Sequence, residues 1–213
     1  MSTSHLNRLW LRIQHRRWIN RAQQPDLVNI LRDPLSTSPF NHTRFLVVDL
    51  ETTDLNPMTG EIASIAWVVI EQGAIQLPQS VHFHLRLKHE VGQSAVFHRL
   101  TDTDLQQGAP IQSAMQTLLK AARNSVLVFH NAQLDMGFIN RFLVEEWGAP
   151  LLLPVLDTLQ LERKKLTRRN KVIEAGDLRL HQCRQRYGLP TVPLHDALGD
   201  ALATAELFLA MNA

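Results

Sequence analysis

The chain has 213 residues, of which 45% are hydrophobic and 20% charged, and its formal net charge is +2. This length and composition are typical of one globular domain with a modest extension, and such a core needs no disulfide or structural metal. A single cysteine, Cys183, excludes an intramolecular disulfide. Because no apolar run approaches about 20 residues and the start has no signal-like stretch, we expect a soluble cytoplasmic protein that does not enter a membrane.

The first 43 residues have the pattern of a basic amphipathic helix followed by a linker. Apolar residues recur at helix-like intervals between arginines as far as Ala22; they are Leu6, Leu9, Trp10, Ile13 and Trp18. Pro25 and the run 33–39 predict a connector, so we assign residues 1–43 to an N-terminal extension and residues 44–213 to the main domain. Such a helix can dock on its own domain, bind a protein partner, or contact nucleic acid or an anionic membrane surface. We favour docking on the main domain.

Positive charge is concentrated in two segments. Residues 1–44 carry seven arginines against two aspartates, and residues 162–171 carry six lysines and arginines against one glutamate. Basic segments beside a slightly acidic remainder suit an anionic polymer that is held near a cation-loaded site. Each segment on its own is equally well explained as a solvated surface.

From Arg44 onward, strand-like and helix-like segments alternate. The predicted strands are 45–50, 62–70, 81–87, 126–129 and 155–156, and the predicted helices are 111–122, 135–147, a stretch after 157, 178–187 and 197–211. The short gap at 71–74 favours antiparallel pairing of the strands on its two sides. The order predicts an α/β fold, with a mixed five-stranded sheet flanked by helices. Ligands of such sheets usually bind beyond the carboxyl ends of the parallel strands.

Two carboxylates end the first predicted core strand. Asp49 and Glu51 are two residues apart, and because side chains alternate along a strand they share a face, about 6.5 Å apart. Carboxylates that close repel each other unless a cation or a proton lies between them. The pair is therefore either a metal cradle or an exposed strand end.

Two later segments place polar residues where the chain enters a helix. In the first, Asn131 follows a buried strand and Asp135 begins a helix, where they are equally explained as a turn residue and an N-cap. In the second, Asp196 is the expected N-cap, Asp200 falls in or just after the first helical turn, and His195 precedes the helix. A lone histidine in such a position is more often structural or exposed than catalytic.

The acidic residues gain meaning as a set. Each follows a buried strand or opens a helix, so all four can converge at one rim of the sheet. Four carboxylates without cysteine suit hard, oxygen-seeking cations, Mg²⁺ or Mn²⁺. Two such ions about 3.5–4 Å apart can activate water and stabilise the leaving oxygen during phosphodiester hydrolysis. A histidine with an ordinary pKa of about 6.5 can accept the proton of that water.

These segments resemble the motifs of the DEDDh superfamily of 3′-to-5′ exonucleases. The run VDLETT at 48–53 resembles the first motif, HNAQLD at 130–135 the second, and HDALGD at 195–200 the third. FHRLTD at 97–102 resembles a further segment between the first two. The resemblance covers about residues 44–211 and is strongest to the branch that includes the proofreading (epsilon) subunit of bacterial DNA polymerase III and its stand-alone relatives. It implies a ribonuclease-H-like core.

The resemblance also implies roles for individual residues around two divalent ions, Mg²⁺ or Mn²⁺. The metal ligands would be Asp49, Glu51, Asp135 and Asp200, with Asp49 between the ions, and His195 would be the general base. Glu51 would in addition contact the 3′-hydroxyl. The residues implied in substrate binding are Thr52, Thr53, Leu55, His98 and Asn131.

The implied substrate is the 3′ end of single-stranded or frayed DNA, cut to nucleoside 5′-monophosphates in repair or end trimming. An RNA 3′-end trimming exonuclease with the same chemistry stays open, because the sequence does not place the contacts that read a 2′-hydroxyl. A non-catalytic nucleic-acid-binding or scaffold protein is a weaker alternative, since the four acids and the histidine are all present.

The sequence also departs from the superfamily pattern. Asp54 stands where glycine is frequent and adds negative charge near the nucleotide pocket, and Leu134 and Arg99 replace a frequent aromatic residue and a common glycine. Asp157 matches a recurrent feature beyond the second motif, and we expect it to cap a strand-to-helix junction rather than to bind metal. The sequence ends at Ala213, directly after the last predicted helix, so we expect no C-terminal polymerase-binding extension.

Overall fold

The computed structural model describes residues 15–33, 39–87, 108–192 and 196–213, and its centre is a mixed six-stranded sheet covered by helices on both faces. The strands are β1 (Arg44–Thr52), β2 (Ile62–Glu71), β3 (Ala74–Ile75), β4 (Val81–His84), β5 (Ser125–Phe129) and β6 (Val155–Asp157). The α-helices are α1 (Pro25–Arg32), α2 (Ile111–Ala122), α3 (Ala132–Trp147), α4 (Thr158–Arg168), α5 (Leu180–Arg186) and α6 (Ala197–Met211). Short 3₁₀ turns form at Phe40–His42 and Leu77–Gln79. The predicted α/β class with a ribonuclease-H-like sheet is confirmed.

The sheet runs in the order β3-β2-β1-β5-β6, and β4 also pairs with β2. Strands β1, β5 and β6 are parallel, whereas β2 is antiparallel to β1, β3 and β4. The carboxyl ends of the three parallel strands therefore meet at one edge, and each strand delivers polar residues there.

Alternation of side chains along β1 explains how this edge receives its acids. Leu46, Val48 and Leu50 pack into the larger core beneath α1, α2 and α3. Phe45 and Val47 pack on the other face against α6, where they meet Phe208. Asp49 and Glu51 continue the α6 face of the strand, because side chains two residues apart point to the same side. On the face that meets α6, strand β1 is thus apolar until its carboxyl end, where the two acids lie.

One predicted connector is partly helical, which corrects our expectation for residues 25–32. Helix α1 begins with Pro25 at its first position, the Gln24 side chain accepts a hydrogen bond from the Leu27 N–H, and Leu27, Ile30 and Leu31 are buried. Proline is compatible with the first helical turn, because the N–H it lacks would have no partner within the helix there. The prediction was wrong because it treated Pro25 as a break instead of a helix start.

The described part of the extension packs on the main domain. Residues 15–18 are helical, and Trp18, Ile19 and Ala22 lie against the larger core. The His15 Nε2 atom is 2.8 Å from the Leu152 main-chain oxygen. Gly148 has a φ of +77°, and a side chain there would collide with the main chain of Arg21. The predicted helix before residue 15 lies outside the described residues, and the boundary at 43/44 stays a prediction.

Smaller differences concern the ends of elements. A sixth strand, β3, occupies only Ala74–Ile75 and was absent from the predicted five. Strand β4 ends at His84 instead of residue 87, with a single parallel bridge following at Leu85. Helix α5 covers Leu180–Arg186, shorter than the predicted 178–187. No helix among the described residues combines the length and hydropathy that a membrane span requires.

Candidate active site

Three carboxylates converge where β1 ends. One oxygen each from Asp49, Glu51 and Asp200 lies within 4.8 Å of the other two. The first two come from β1 and the third from the first turn of α6. Glu51 is only 7% exposed, so this cluster is formed partly inside the protein, not on an open surface. Oxygen atoms at this spacing match the ligand set that a divalent cation requires.

Asp135 lies beside this cluster and completes the predicted set of four acids. It is 6% exposed, and its charge is the strongest of the neighbouring charges that raise the pKa of Asp49. Helix α3 begins at Ala132, so Asp135 is the fourth residue of the helix and lies in its first turn. The prediction that Asp135 begins the helix or acts as its N-cap was therefore wrong. Its position in the first turn instead aims a buried carboxylate at the end of β1.

Burial and mutual repulsion disfavour the charged forms of these acids. Burial, followed by the charges of Asp135, Asp200 and Glu51, raises the pKa of Asp49 well above its ordinary value. Burial raises the pKa of Asp135 to about 8, although hydrogen bonds from the main chain partly offset this effect. A cation bound between the carboxylates would relieve both costs, because it compensates the charge that burial and repulsion penalise.

The N-terminus of α6 holds the third acidic segment in place. Asp196 is the N-cap, as predicted, and its side chain accepts a 3.0 Å hydrogen bond from the Gly199 N–H. The Asp200 N–H donates to the Asp196 main-chain oxygen at 2.8 Å. Asp200 thus lies in the first turn, where the helix dipole favours negative charge, and this expectation is confirmed.

A shared cap fixes the junction between β5 and α3. The Asp157 carboxylate accepts hydrogen bonds from the N–H groups of Asn131 and Ala132, at 3.0 and 3.1 Å. It also accepts from Leu159 and Gln160 at the start of α4, so the predicted capping role of Asp157 is confirmed. Asn131 has a φ of +81°, a left-handed conformation that asparagine tolerates better than most residues.

The loop that follows β1 is held by its own polar groups. The Thr52 hydroxyl donates to the Asp54 main-chain oxygen, and the Thr53 hydroxyl accepts from the Glu61 N–H. The Asp54 carboxylate accepts from the Thr59 hydroxyl at 2.7 Å and from the Asn56 N–H at 3.3 Å, and the Thr59 bond in particular lowers the pKa of Asp54. Leu55 is left 77% exposed at the tip.

His130, the first residue of the second motif, joins two segments beside the acids, although the sequence assigned it no role. Its Nδ1 is 2.8 Å from the Thr158 hydroxyl and its Nε2 is 2.9 Å from the Leu178 main-chain oxygen. Burial lowers the pKa of His130, which favours the neutral ring. The histidine therefore ties the start of α4 to the segment before α5. The available signal was its place directly after a buried strand, at the edge where ligands bind.

A groove of about 1220 Å³ opens beside the acids. Leu55, Asn131 and Asp200 line it together with residues of α4 and of the segment 173–181. The structure thus brings two of the predicted substrate-binding residues to the same groove as a predicted metal ligand. Thr52 ends β1 and Thr53 begins the adjacent loop, and the hydroxyls of both bond to the protein.

Two of the predicted site residues are not among the residues that the structure describes. His195 and His98 lie outside the described residues, as does Arg99. Asp196, the residue after His195, caps α6 next to Asp200. The roles of His195 and His98 stay predictions.

Comparison with known proteins identifies the family and the fold. Residues 46–208 match the model of the RNase_T family, described as "Exonuclease". The chain is 29% identical over 185 residues to a DNA polymerase III of PolC type from Thermotoga petrophila, covering 86% of this chain and 13% of the relative. A PolC-type polymerase from Caldanaerobacter subterraneus is 30% identical over 170 residues, covering 78% and 11% of the two chains. The chain therefore spans only a small part of the length of these relatives.

Solved structures share the fold at low sequence identity. Exonuclease I of E. coli, in complex with a 5cy-dT13 oligonucleotide, superposes with a TM-score of 0.68 and 15% identity, covering 80% of this chain and 41% of that one. Cell-death related nuclease 4 superposes with a TM-score of 0.66 and 15% identity, covering 81% and 64%.

Proposed function

The chain belongs to the exonuclease family and carries a 3′-to-5′ exonuclease domain. We propose that this domain uses two divalent ions to release nucleoside 5′-monophosphates, and that its substrates are single-stranded or frayed DNA 3′ ends. One observation carries the proposal: the carboxylates of Asp49, Glu51 and Asp200 lie within 4.8 Å of one another. Buried Asp135 adds a fourth carboxyl group beside them.

The donor set fits Mg²⁺ or Mn²⁺. All four candidate ligands offer carboxylate oxygens, the ligand type that hard divalent cations select. The raised pKa values of Asp49 and Asp135 reflect the electrostatic cost of holding these acids together without a cation. Asp49, Glu51, Asp135 and Asp200 would hold the ions, which supply when bound an activated water and a counter-charge for the leaving oxygen.

The remaining roles belong to side chains around the acids. His195, one residue before the N-cap of α6, would accept the proton of the attacking water. Exposed Leu55 would contact the base of the terminal nucleotide, with Thr52, Thr53 and His98 beside it. Asn131, held in its left-handed conformation by the Asp157 cap, would shape the loop near the scissile phosphate. Glu51 would also contact the 3′-hydroxyl, which restricts cutting to a free end.

Single-stranded DNA is the substrate that we favour over RNA. The neighbouring Exonuclease I structures were solved with dT13 and dA16 oligonucleotides, and one is described as a complex with single-stranded DNA. The groove beside the acids is open on its surface and lined by arginines, as a path for an anionic strand requires. RNA cleavage with equal efficiency would move the assignment to the RNA-trimming alternative.

The test is degradation of 5′-labelled oligonucleotides in Mg²⁺ or Mn²⁺, comparing single-stranded DNA, blunt and 3′-recessed duplexes, and single-stranded RNA. We expect a ladder that shortens from the 3′ end, stops with a chelator, and yields nucleoside 5′-monophosphates. Asp135→Asn should abolish most turnover, whereas Glu146→Gln, an exposed acid on the same helix, should cut like the wild type. Absence of chelator-sensitive shortening on every substrate would refute the proposal.

A further inference from the structure

The groove beside the acids extends along one face of α4. Leu159, Arg163 and Thr167 line it, and their spacing of four residues places them on one side of the helix. From Leu159 to Thr167 the helix rises about 12 Å. Because α4 starts directly after β6, this face leads away from the carboxyl edge of the sheet, where the acids lie. The groove is therefore longer than a pocket for one terminal nucleotide.

A second wall of the groove is formed by residues of the segment 173–181, and several contacts hold this wall. His130 bonds to the Leu178 main-chain oxygen, and the Asp177 side chain accepts a 2.9 Å hydrogen bond from the Glu174 N–H. Arg186 donates to the Asp177 main-chain oxygen and to Glu162, which is 2% exposed. Arg179 belongs to this wall, and its exposed side chain lines the groove. The main chain next to Arg179 is therefore held in place by hydrogen bonds to the rest of the domain.

Arg163 and Arg179, the two arginines that line the groove, differ in their partners from the arginines that form ion pairs within the fold. Arg184 pairs with Glu206 at 2.8 Å and Arg186 with Glu162 at 2.7 Å. Within the described part of the chain, neither Arg163 nor Arg179 forms an ion pair or a side-chain hydrogen bond, although Glu174 also lines the groove. A guanidinium without a carboxylate partner keeps its donors for another anion, and its planar fork matches a phosphate.

We propose that Arg163 and Arg179 form a phosphate-binding subsite for nucleotides on the 5′ side of the scissile bond. The inference rests on the proposed function for the direction of the strand. The acids act at the 3′-terminal phosphodiester, and the arginines hold the backbone that leads into them. The subsite selects for a strand of several nucleotides, because a substrate with a single phosphodiester has no phosphate on the 5′ side of the scissile bond for the arginines to hold. It reads phosphate and not base, so it is independent of sequence.

The experiment compares a long and a minimal substrate. Arg163→Gln, Arg179→Gln and the double variant are assayed on a single-stranded DNA 12-mer and on the p-nitrophenyl ester of thymidine 5′-monophosphate. Lys164→Gln is the matched control, since Lys164 is an exposed cation on the same helix that does not line the groove. Binding of the labelled 12-mer is measured separately by fluorescence anisotropy in Ca²⁺.

The double variant should lose on the order of tenfold or more in kcat/KM on the 12-mer, through KM, with the ester unchanged. Its 12-mer Kd should rise similarly, and the slope of log Kd against log salt should fall by about 0.7 per lost phosphate contact. Equal losses on both substrates, an unchanged Kd, or an equal loss in Lys164→Gln would overturn the subsite. A wild type that cleaves neither substrate refutes the proposed function instead, while the anisotropy still decides the subsite.

Discussion

The Asp157 carboxylate accepts a 3.0 Å hydrogen bond from the main-chain N–H of Asn131, and this bond joins the end of β6 to the turn that begins α3. The same carboxylate accepts from Ala132, three residues before the buried acid Asp135. One side chain therefore caps α4 and fixes the start of the helix that carries a candidate metal ligand. Site geometry at this edge depends on a residue that is not itself a candidate ligand.

Asp157→Ala should reduce both stability and turnover. Loss of a helix cap costs about 1–2 kcal/mol, and here the N–H groups of Asn131 and Ala132 lose their acceptor as well. Chemical denaturation gives the stability change, and kcat on a single-stranded oligonucleotide gives the effect on the site. Asp157→Asn keeps one acceptor oxygen and should fall between the two proteins. Wild-type activity in Asp157→Ala would show that the cap does not position the site.

The apo protein should lose stability relative to Asp135→Asn as the pH rises. The pKa of Asp135 is raised by burial to about 8, above its ordinary value of 3.8. A raised folded-state pKa contributes stability that is present at low pH and is lost as the pH rises towards about 8. With a chelator present, the advantage of the variant in free energy of unfolding should therefore widen between about pH 5 and 8 and then level off.

Saturating Mn²⁺ should reverse this order, because only the wild type retains all four acids. With the chelator present, a difference in free energy of unfolding that stays constant between about pH 5 and 8 would contradict the raised pKa of Asp135.

Asp54→Gly should loosen the loop that carries Leu55. The Asp54 carboxylate accepts from Thr59 and Asn56, and glycine removes both bonds while adding backbone freedom. We expect a lower Tm and a higher KM for the oligonucleotide. Asp54→Asn removes the charge but keeps hydrogen-bonding capacity, so it should behave more like the wild type. If the glycine variant instead binds substrate more tightly and the asparagine variant does so equally, the charge of Asp54 matters and its bonds do not.

His195→Gln should lower kcat by about 10²- to 10⁴-fold, the usual contribution of a general base. Metal binding should survive, because His195 is not among the proposed ligands. Single-turnover rates on a DNA oligonucleotide, with Mn²⁺ affinity as the control, measure the two effects. A variant that turns over at the wild-type rate would remove His195 from the mechanism.

Much of the site followed from periodicity, and the exceptions have physical causes. Alternation along β1 predicted that Asp49 and Glu51 share a face, and their oxygens do lie close to each other. Capping chemistry predicted Asp196 and Asp157. The start of α3 was misplaced, because Asn131 enters the helix in a left-handed conformation and its own side chain accepts no capping hydrogen bond.

Long-range contacts account for what the sequence left unspecified. The groove wall depends on His130 bonding to Leu178, 48 residues away, and no local pattern encodes that contact. Helix α1 was missed because it is only eight residues long. Its apolar face is stabilised by tertiary packing, in which Leu27, Ile30 and Leu31 are buried in the larger core. The two-residue strand β3 is defined only by pairing with β2.

The most direct test of the account is calorimetric titration of Mn²⁺ into the protein with thymidine 5′-monophosphate, the expected type of product, present. Asp49, Glu51, Asp135 and Asp200 should together bind two equivalents, and Asp49→Asn should lose at least one because Asp49 contributes to both positions. Binding of no Mn²⁺ by the wild type, or the same stoichiometry and affinity in Asp49→Asn, would contradict the proposal that these acids form a two-metal site.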